Sequence, residues 1–403
     1  MDHQVVAAVE KALCWPGPEL LGAGFARGAL PDAALCERLL TPSKLLDLIM
    51  RRSLEPPQFR CFQDGHELHP NEYVTSMVTR RRQAIRMVDM HSLARLAGEG
   101  FTAVLDALDV FDPTMEIACR AFQWWSRERV QVNAYLTTQD APGFPLHFDD
   151  HDVLIVQLAG HKNWEVRGSS RVAPMYRDAM PNLTPSDELV WSGALRAGDV
   201  MHIPRGYWHR ATRDDCGAGL SLHVTFGFVK RTGVDWLAWV ADRSREEELF
   251  RRDLIRSGTS GGRAIQDDAL TSTAGALLSQ WSPEKFLARR EQESIRTRVV
   301  PALTALDESG SIVCVTEFPP QMSKVGEHVL LVAAGKKLTF KRAAVPALRK
   351  LVSGDPVQVG KVSAETGVDA RRLGDVLIQE GICAQLTEEL SSGYTGLITS
   401  ERS

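Results

Sequence analysis

Between residues 130 and 229 the chain alternates apolar and polar residues in short runs, broken at close intervals by glycine and proline. A period of two marks strands with one buried face. So many turns make the stretch an all-β unit of jelly-roll type, whose facing strands enclose a cavity. Upstream the period changes. Residues 7–13 and 44–50 carry apolar side chains at helical spacing, so the first fifty or so positions read as helices. Residues 59–68 alternate and turn at Asp64-Gly65, as a hairpin does. A helix begins within 88–96, capped by an acidic or hydroxyl residue, and another spans 115–128, where Trp124 and Trp125 read as core packing.

Beyond Lys230 the composition shifts. Residues 234–250 form an amphipathic helix with aromatics on one face, Ser257–Gly262 breaks the pattern, and Ser282-Pro283-Glu284 opens a further helix with proline in its first turn. Helices without a sheet must bury their stripes against one another, which makes this a linker or a dimer interface. The last hundred residues give a strand at 338–340, helices at 343–351 and 357–366, a helix at 370–380 capped by Asp369, and a strand at 382–386. That is the order of a winged helix. The expected architecture is α+β: a barrel unit with N-terminal helices over 1–232, a helical linker over 233–300 and a winged-helix domain over 301–403.

Charge limits the partners. The would-be recognition helix carries Arg371 and Arg372 but also Asp369, Asp375 and Glu380, so specific DNA binding is not expected. A net charge of −4 argues against a grip on nucleic acid through the whole surface. With 403 residues, 44% hydrophobic and 24% charged, the chain reads as a soluble globular protein of two or three domains. No apolar run approaches the roughly 20 residues of a membrane span, and the start lacks a secretory pattern. The seven cysteines are scattered, with no Cys-x-x-Cys, so a reducing cytoplasm and no zinc knuckle are expected.

The chemistry concentrates in two segments. In an extended strand His147 and Asp149 project to one face. A Gly198-Asp199 turn, a short apolar strand ended by Pro204 and an Arg205-Gly206 turn then bring His209 to the start of another strand. Two imidazoles and one carboxylate on one face of a metal leave three positions open, the arrangement by which non-haem Fe(II) oxygenases bind a co-substrate and O2. His147, Asp149 and His209 are therefore the expected catalytic metal ligands. His151, His161 and His202 lack spaced partners and read as hydrogen-bonded or exposed residues. His223 and Thr225 fall on a later strand that either lines the cavity or packs in the core.

Together these residues carry a resemblance. The His147-x-Asp149 pair, Lys162 and the Ile203-Pro204-x-Gly206-x-x-His209 segment resemble the JmjC-type 2-oxoglutarate oxygenases, and among them most resemble the ribosomal oxygenases, which are protein hydroxylases. Asn133-Ala134-Tyr135-Leu136-Thr137 followed by Gly143-Phe144-Pro145 is similar to the family's approach to its metal motif, and 101–108 to its first barrel strand. The likeness implies Fe(II), 2-oxoglutarate and O2. It also implies that Lys162, at a hairpin beyond Gly160, holds the distal carboxylate of 2-oxoglutarate, with Asn133 and Tyr135 in the same pocket; Thr225 is the cofactor-side candidate of the later strand. The physical reason for Lys162 stands alone: a buried carboxylate needs a paired, hydrogen-bonded cation. A solvated turn lysine is the alternative, with Arg210 or Lys230 as other anchors.

The family usually has an aromatic residue where His202 stands. It also dimerises through the position of the helical linker, so a homodimer is expected. The implied activity is hydroxylation of an arginine or histidine in a ribosomal protein. The alternatives are hydroxylation of a peptide matured into a natural product, and a non-catalytic ligand-binding regulator. Asp140, Asp150, Asp152 and Glu165 are expected to give the cavity mouth a negative potential suited to a cationic substrate, and residues 175–190 to loop across that mouth. Lys336, Lys337, Lys341 and Arg342 form a basic cluster that is either a solvated face or a contact for ribosomal RNA or an acidic partner.

Overall fold

The computed structural model describes residues 3–175, 184–292, 298 and 305–398. The first two thirds of the chain supply twelve strands: β1 (Ala26–Ala29), β2 (Phe59–Gln63), β3 (His66–Glu67), β4 (Val74–Val78), β5 (Ala84–Val88), β6 (Thr102–Leu105), β7 (Arg129–Thr138), β8 (Asp152–Ser169), β9 (Leu189–Arg196), β10 (Asp199–Ile203), β11 (Tyr207–Thr212) and β12 (Leu220–Val229). Ten of them join in one sheet ordered β1-β10-β8-β12-β7-β6-β2-β3, with β9 and β11 also paired to β8.

The long strand β8 serves two sets of partners. Its first half, residues 153–158, is buried throughout, with only Gln157 polar among apolar side chains, because both faces are covered. Leu154, Val156 and Leu158 face the helices, while Val153 and Ile155 join Trp164, Val166, Leu195, Met201, Ile203 and Ala211 in a second, inner cluster. This half lies between β10 and β12, and the second half lies between β9 and β11. The change of partners falls at Gly160, which has φ +62° and whose missing Cβ would stand 1.7 Å from the Leu220 carbonyl oxygen. Gly160→Ala is therefore expected to cost more than about 2 kcal/mol, read as a fall in thermal midpoint. An unchanged midpoint would mean that the bend does not depend on glycine.

The helices cover the outer face. Gln4–Leu13 and Pro113–Ser126 pack there, the latter capped by Asp112, with Phe122 against Phe226 (4.8 Å between ring centres) and Trp125 beside Phe228. Trp124 and Trp125 are both structural, donating from Nε1 to the Thr316 carbonyl (2.9 Å) and to Glu10 (2.7 Å). The Asp64-Gly65 hairpin forms as expected, with both residues at positive φ. β1, inside a segment read as helical, pairs with β10.

Three longer helices follow, Gly233–Arg243, Ser260–Gln280 and Pro283–Gln292, with a single turn at Glu248–Arg251 between the first two. The glycine-rich run at 257–262 starts the second of these, because the Thr259 hydroxyl caps it at Gly262. Trp239 packs against both Trp281 and Phe286 and binds the three helices together. The C-terminal part adds β13 (Ser311–Cys314), β14 (Gln321–Val325), β15 (His328–Ala333), β16 (Lys336–Lys341), β17 (Val357–Gln358) and β18 (Cys383–Gln385). They form two sheets, β17-β13-β18 and β14-β15-β16, around helices Val345–Leu351, Val359–Thr366 and Ala370–Gln379. Among the described residues no helix is long and apolar enough to cross a membrane.

Candidate metal centre and dicarboxylate pocket

His147 and Asp149 do not lie in a strand. A single antiparallel bridge holds the segment: His147 N–H donates to the His209 carbonyl (3.1 Å) and His209 N–H to that of His147 (2.7 Å). The Asp149 carbonyl then accepts from Gly206 N–H (2.9 Å) at the tight turn before β11. These backbone bonds place one ligand atom from each of His147, Asp149 and His209 within 4.8 Å of one another. His209 Nε2 lies 3.6 Å from Asp149 Oδ2.

The rings are oriented from behind. His147 Nδ1 faces the Pro145 carbonyl at 2.8 Å, and His209 Nδ1 faces the Tyr207 carbonyl at 3.1 Å. A carbonyl only accepts, so each Nδ1 carries the proton and each Nε2 lone pair is turned toward the centre. Burial lowers the His209 pKa to about 4, with Asp149 opposing the shift, which keeps the ring neutral. Two imidazoles and a carboxylate grouped in this way suit a six-coordinate divalent transition metal with open positions.

Beside this centre is a buried cation. Lys162 is 1% exposed and donates to Thr137 Oγ1 at 2.9 Å. Among the described residues no carboxylate pairs with it, and burial, aided by the Arg213 charge, lowers its pKa to about 7. Arg213, fully buried, spends its guanidinium on the carbonyls of Gln139, His161, Leu220 and Gly217. The Arg213 charge thus acts on Lys162, and among the described residues neither side chain has a carboxylate partner.

Polar side chains gather on the adjoining strand faces. On β7 the side chains of Asn133, Tyr135 and Thr137 share one face, and Thr225 and His223 of β12 stand opposite the first two in register. Tyr135 stacks on His223 with ring centres 4.8 Å apart and planes 4° apart. Trp164 packs against His223 (5.4 Å) and His209 (6.4 Å), so one ring touches both a metal-ligand candidate and the histidine nearest Lys162. Among the described residues His223 Nδ1 and Trp164 Nε1 are buried with no hydrogen-bond partner. A ligand with carboxylate oxygens is what such atoms lack.

Several sequence expectations need correction. Lys162 sits within the continuous strand β8, not at a hairpin, because Gly160 bends the strand without ending it. Arg210 is tied to Glu165, and Lys230 to Asp152, so neither is a free anchor. His202 points away from the cavity: it bonds Gly24 O and Gly22 N–H and meets the edge of Trp15. The acidic rim also dissolves. Asp152 is buried and holds Arg205 N–H and Lys230, Glu165 binds Arg167 and Arg210, and Asp140 accepts from Gly217 N–H. Asn133 already accepts from Ala107 N–H (3.0 Å). Thr137 and Trp164 were missed, although continuing the alternation from Tyr135 leads to the first. Of the expected loop, Pro181, Asn182 and Leu183 lie outside the described residues.

Residues 111–235 match the JmjC domain. The bifunctional lysine-specific demethylase and histidyl-hydroxylase NO66 of Dictyostelium discoideum is 30% identical over 239 residues, which are 53% of this chain and 45% of that protein. Human ribosomal oxygenase 1 is 34% identical over 201 residues, 45% of this chain and 31% of that protein. The chain therefore spans less than half the length of these relatives. Among solved structures, Escherichia coli ycfD superposes with a TM-score of 0.57 at 16% identity, covering 91% of this chain and 96% of that one. The structure of YcfD, described as a ribosomal oxygenase in complex with cobalt and 2-oxoglutarate, gives 0.55 at 17% identity over 86% of this chain and 91% of its own. These last two likenesses concern the fold. Residues 111–235 thus match the JmjC domain, and the chain shares its fold with the ycfD structures.

Proposed function

We propose that the chain is an Fe(II)- and 2-oxoglutarate-dependent dioxygenase that hydroxylates a protein side chain. The observation that carries this reading is a histidine-carboxylate-histidine cluster beside a buried lysine that lacks a counter-anion. His147, Asp149 and His209 hold the metal through Nε2, a carboxylate oxygen and Nε2. Bound Fe(II) supplies O2 activation coupled to decarboxylation of 2-oxoglutarate to succinate. Lys162 receives the distal carboxylate, with Thr137, Tyr135 and His223 on the same wall and Asn133 and Thr225 beside them. Ile155, Val166 and Trp164, all buried, keep bulk water from the reacting end.

The pH dependence follows from Lys162. In the free protein it gives up its proton near pH 7, whereas the unfolded chain keeps the proton to about pH 10. Stability of the free protein therefore rises between those values. Pairing with a carboxylate restores the charge, so binding of 2-oxoglutarate above pH 7 takes up a proton. Its affinity is expected to fall by up to about tenfold per pH unit from 7 to 9. Calorimetry in two buffers of different ionisation enthalpy reads the proton directly. A pH-independent affinity with no uptake would remove Lys162 as the partner.

The preferred substrate is an arginine or histidine in a basic ribosomal protein, a reading supported by the named relatives and by the protein-hydroxylase resemblance. The closed jelly roll, the winged-helix identity of the C-terminal sheet-and-helix unit, the three domain boundaries, a homodimer built on the linker helices and a cytoplasmic location belong to the same reading. Mass spectrometry of ribosomal proteins from cells with and without this protein tests the substrate. The expected result is one oxygen gained on one arginine or histidine. No difference, together with oxidation of a dedicated small peptide, would replace the ribosomal substrate with a natural-product one.

A further inference from the structure

β4 and β5 form a two-stranded ribbon that pairs with no other strand. Its base is anchored: Val74 and Val88 are buried, Asp89 N–H donates to the Tyr73 carbonyl (2.8 Å), and Ser53 Oγ donates to the Arg86 carbonyl (2.6 Å). Beyond the base it stands in solvent. Met77 and Ile85 oppose each other across one face and are 51% and 37% exposed, and Val78 is 67% exposed. An isolated hairpin of this kind is marginal unless something covers it.

The charge on the ribbon is one-signed. Residues 74–88 include Arg80, Arg81, Arg82 and Arg86 and no aspartate or glutamate, in a chain whose net charge is −4. Arg86 pairs with Glu55. Arg80, Arg81 and Arg82 are exposed at the tip, and among the described residues no carboxylate pairs with them.

The tip also breaks a local rule. Thr79 N–H donates to the Gln83 carbonyl and Arg82 N–H to the Thr79 carbonyl, each at 2.8 Å, which closes a three-residue loop. Its last residue, Arg82, has φ +59°. Hairpins of this form ordinarily place glycine there, since a Cβ is strained in the left-handed region. A third arginine stands at a position where it costs backbone energy, and among the described residues it makes no ion pair. Such an outlier points to a contact made outside the chain.

We propose that this ribbon is an arm that grips single-stranded RNA. Guanidinium groups pair in a planar fork with phosphate oxygens. Met77 and Ile85 offer an apolar patch to unstacked bases, which a duplex would hide. One narrow tip on an acidic molecule suits a strand of phosphates better than a broad anionic bilayer. The choice of RNA rests on the ribosomal-protein substrate proposed above. The ribbon springs from the segment after β2, whose Phe62 packs on Phe144, itself beside His147, so the arm would hold an RNA-bound protein near the metal centre.

The test is fluorescence anisotropy of the full chain with a labelled single-stranded RNA of about 20 nucleotides, longer than a typical single-strand site. Three phosphate contacts predict a slope of about −2 in log affinity against log salt. The combined Arg80→Ala, Arg81→Ala and Arg82→Ala variant is expected to lose at least about tenfold in affinity and most of that slope. Arg82→Gly relieves the backbone strain, so it should lose part of the affinity while the ribbon stays folded. Turnover of 2-oxoglutarate on a free peptide should be unchanged in both, which separates failure of the arm from failure of the enzyme reading. Equal RNA binding by the triple variant would overturn the proposal. So would equal or tighter binding to duplex DNA, to phosphatidylserine vesicles or to polyglutamate.

Discussion

His209→Ala is expected to keep the fold and to lose turnover by on the order of a thousandfold or more. The bridge that brings His147 and His209 together is made by backbone atoms at 3.1 and 2.7 Å, so alanine preserves it. What disappears is one of three donors around the gap, and a two-ligand site cannot hold a divalent metal against water. The readout is an optical titration with Co(II), alongside circular dichroism. Wild-type protein should show a saturable absorption band that the variant lacks, with indistinguishable far-ultraviolet spectra. A variant that binds Co(II) normally and turns over would remove His209 from the ligand set.

Lys162→Met is expected to raise the 2-oxoglutarate requirement by on the order of 100-fold, equivalent to about 3 kcal/mol for an unpaired buried carboxylate. Metal binding should be unaffected. Methionine fills the volume without the charge, so the ligand-free variant should be at least as stable as wild type near neutral pH, because the desolvated amine is gone. That pairing of outcomes distinguishes an anchor from a structural lysine, whose loss would lower stability and leave the requirement unchanged. Arg210 and Lys230 cannot compensate, since Glu165 and Asp152 already hold them.

The cluster of His147, Asp149 and His209 was legible in the sequence because it needs only spacing: His147 and Asp149 are two residues apart, and a turn at Arg205-Gly206 returns His209. The geometry that achieves it was not legible. A strand was expected around His147, yet a single bridge suffices, since the residue it pairs with is itself the third member of the cluster. Gly160 misled for a physical reason. A glycine between an apolar run and an alternating one signals a turn, but here positive φ bends one strand between two sets of neighbours, and only the Leu220 carbonyl, sixty residues away, shows why. The acidic residues around the motif looked like a substrate rim because sequence shows their charges and not their partners. Asp152 and Glu165 each hold distant cations. Thr137 was within reach, one alternation past Tyr135. Trp164, which joins the two halves of the cavity, depended on knowing that β8 continues.

The most direct test of the central claim is succinate formation by the intact chain supplied with Fe(II), ascorbate, O2 and 2-oxoglutarate in the presence of ribosomal proteins. The account predicts succinate production that is abolished by a chelator and by Asp149→Ala, accompanied by a gain of one oxygen on a protein substrate. Succinate at the level of the protein-free control, from chain shown to bind both Fe(II) and 2-oxoglutarate, would contradict it and leave a ligand-binding protein in its place.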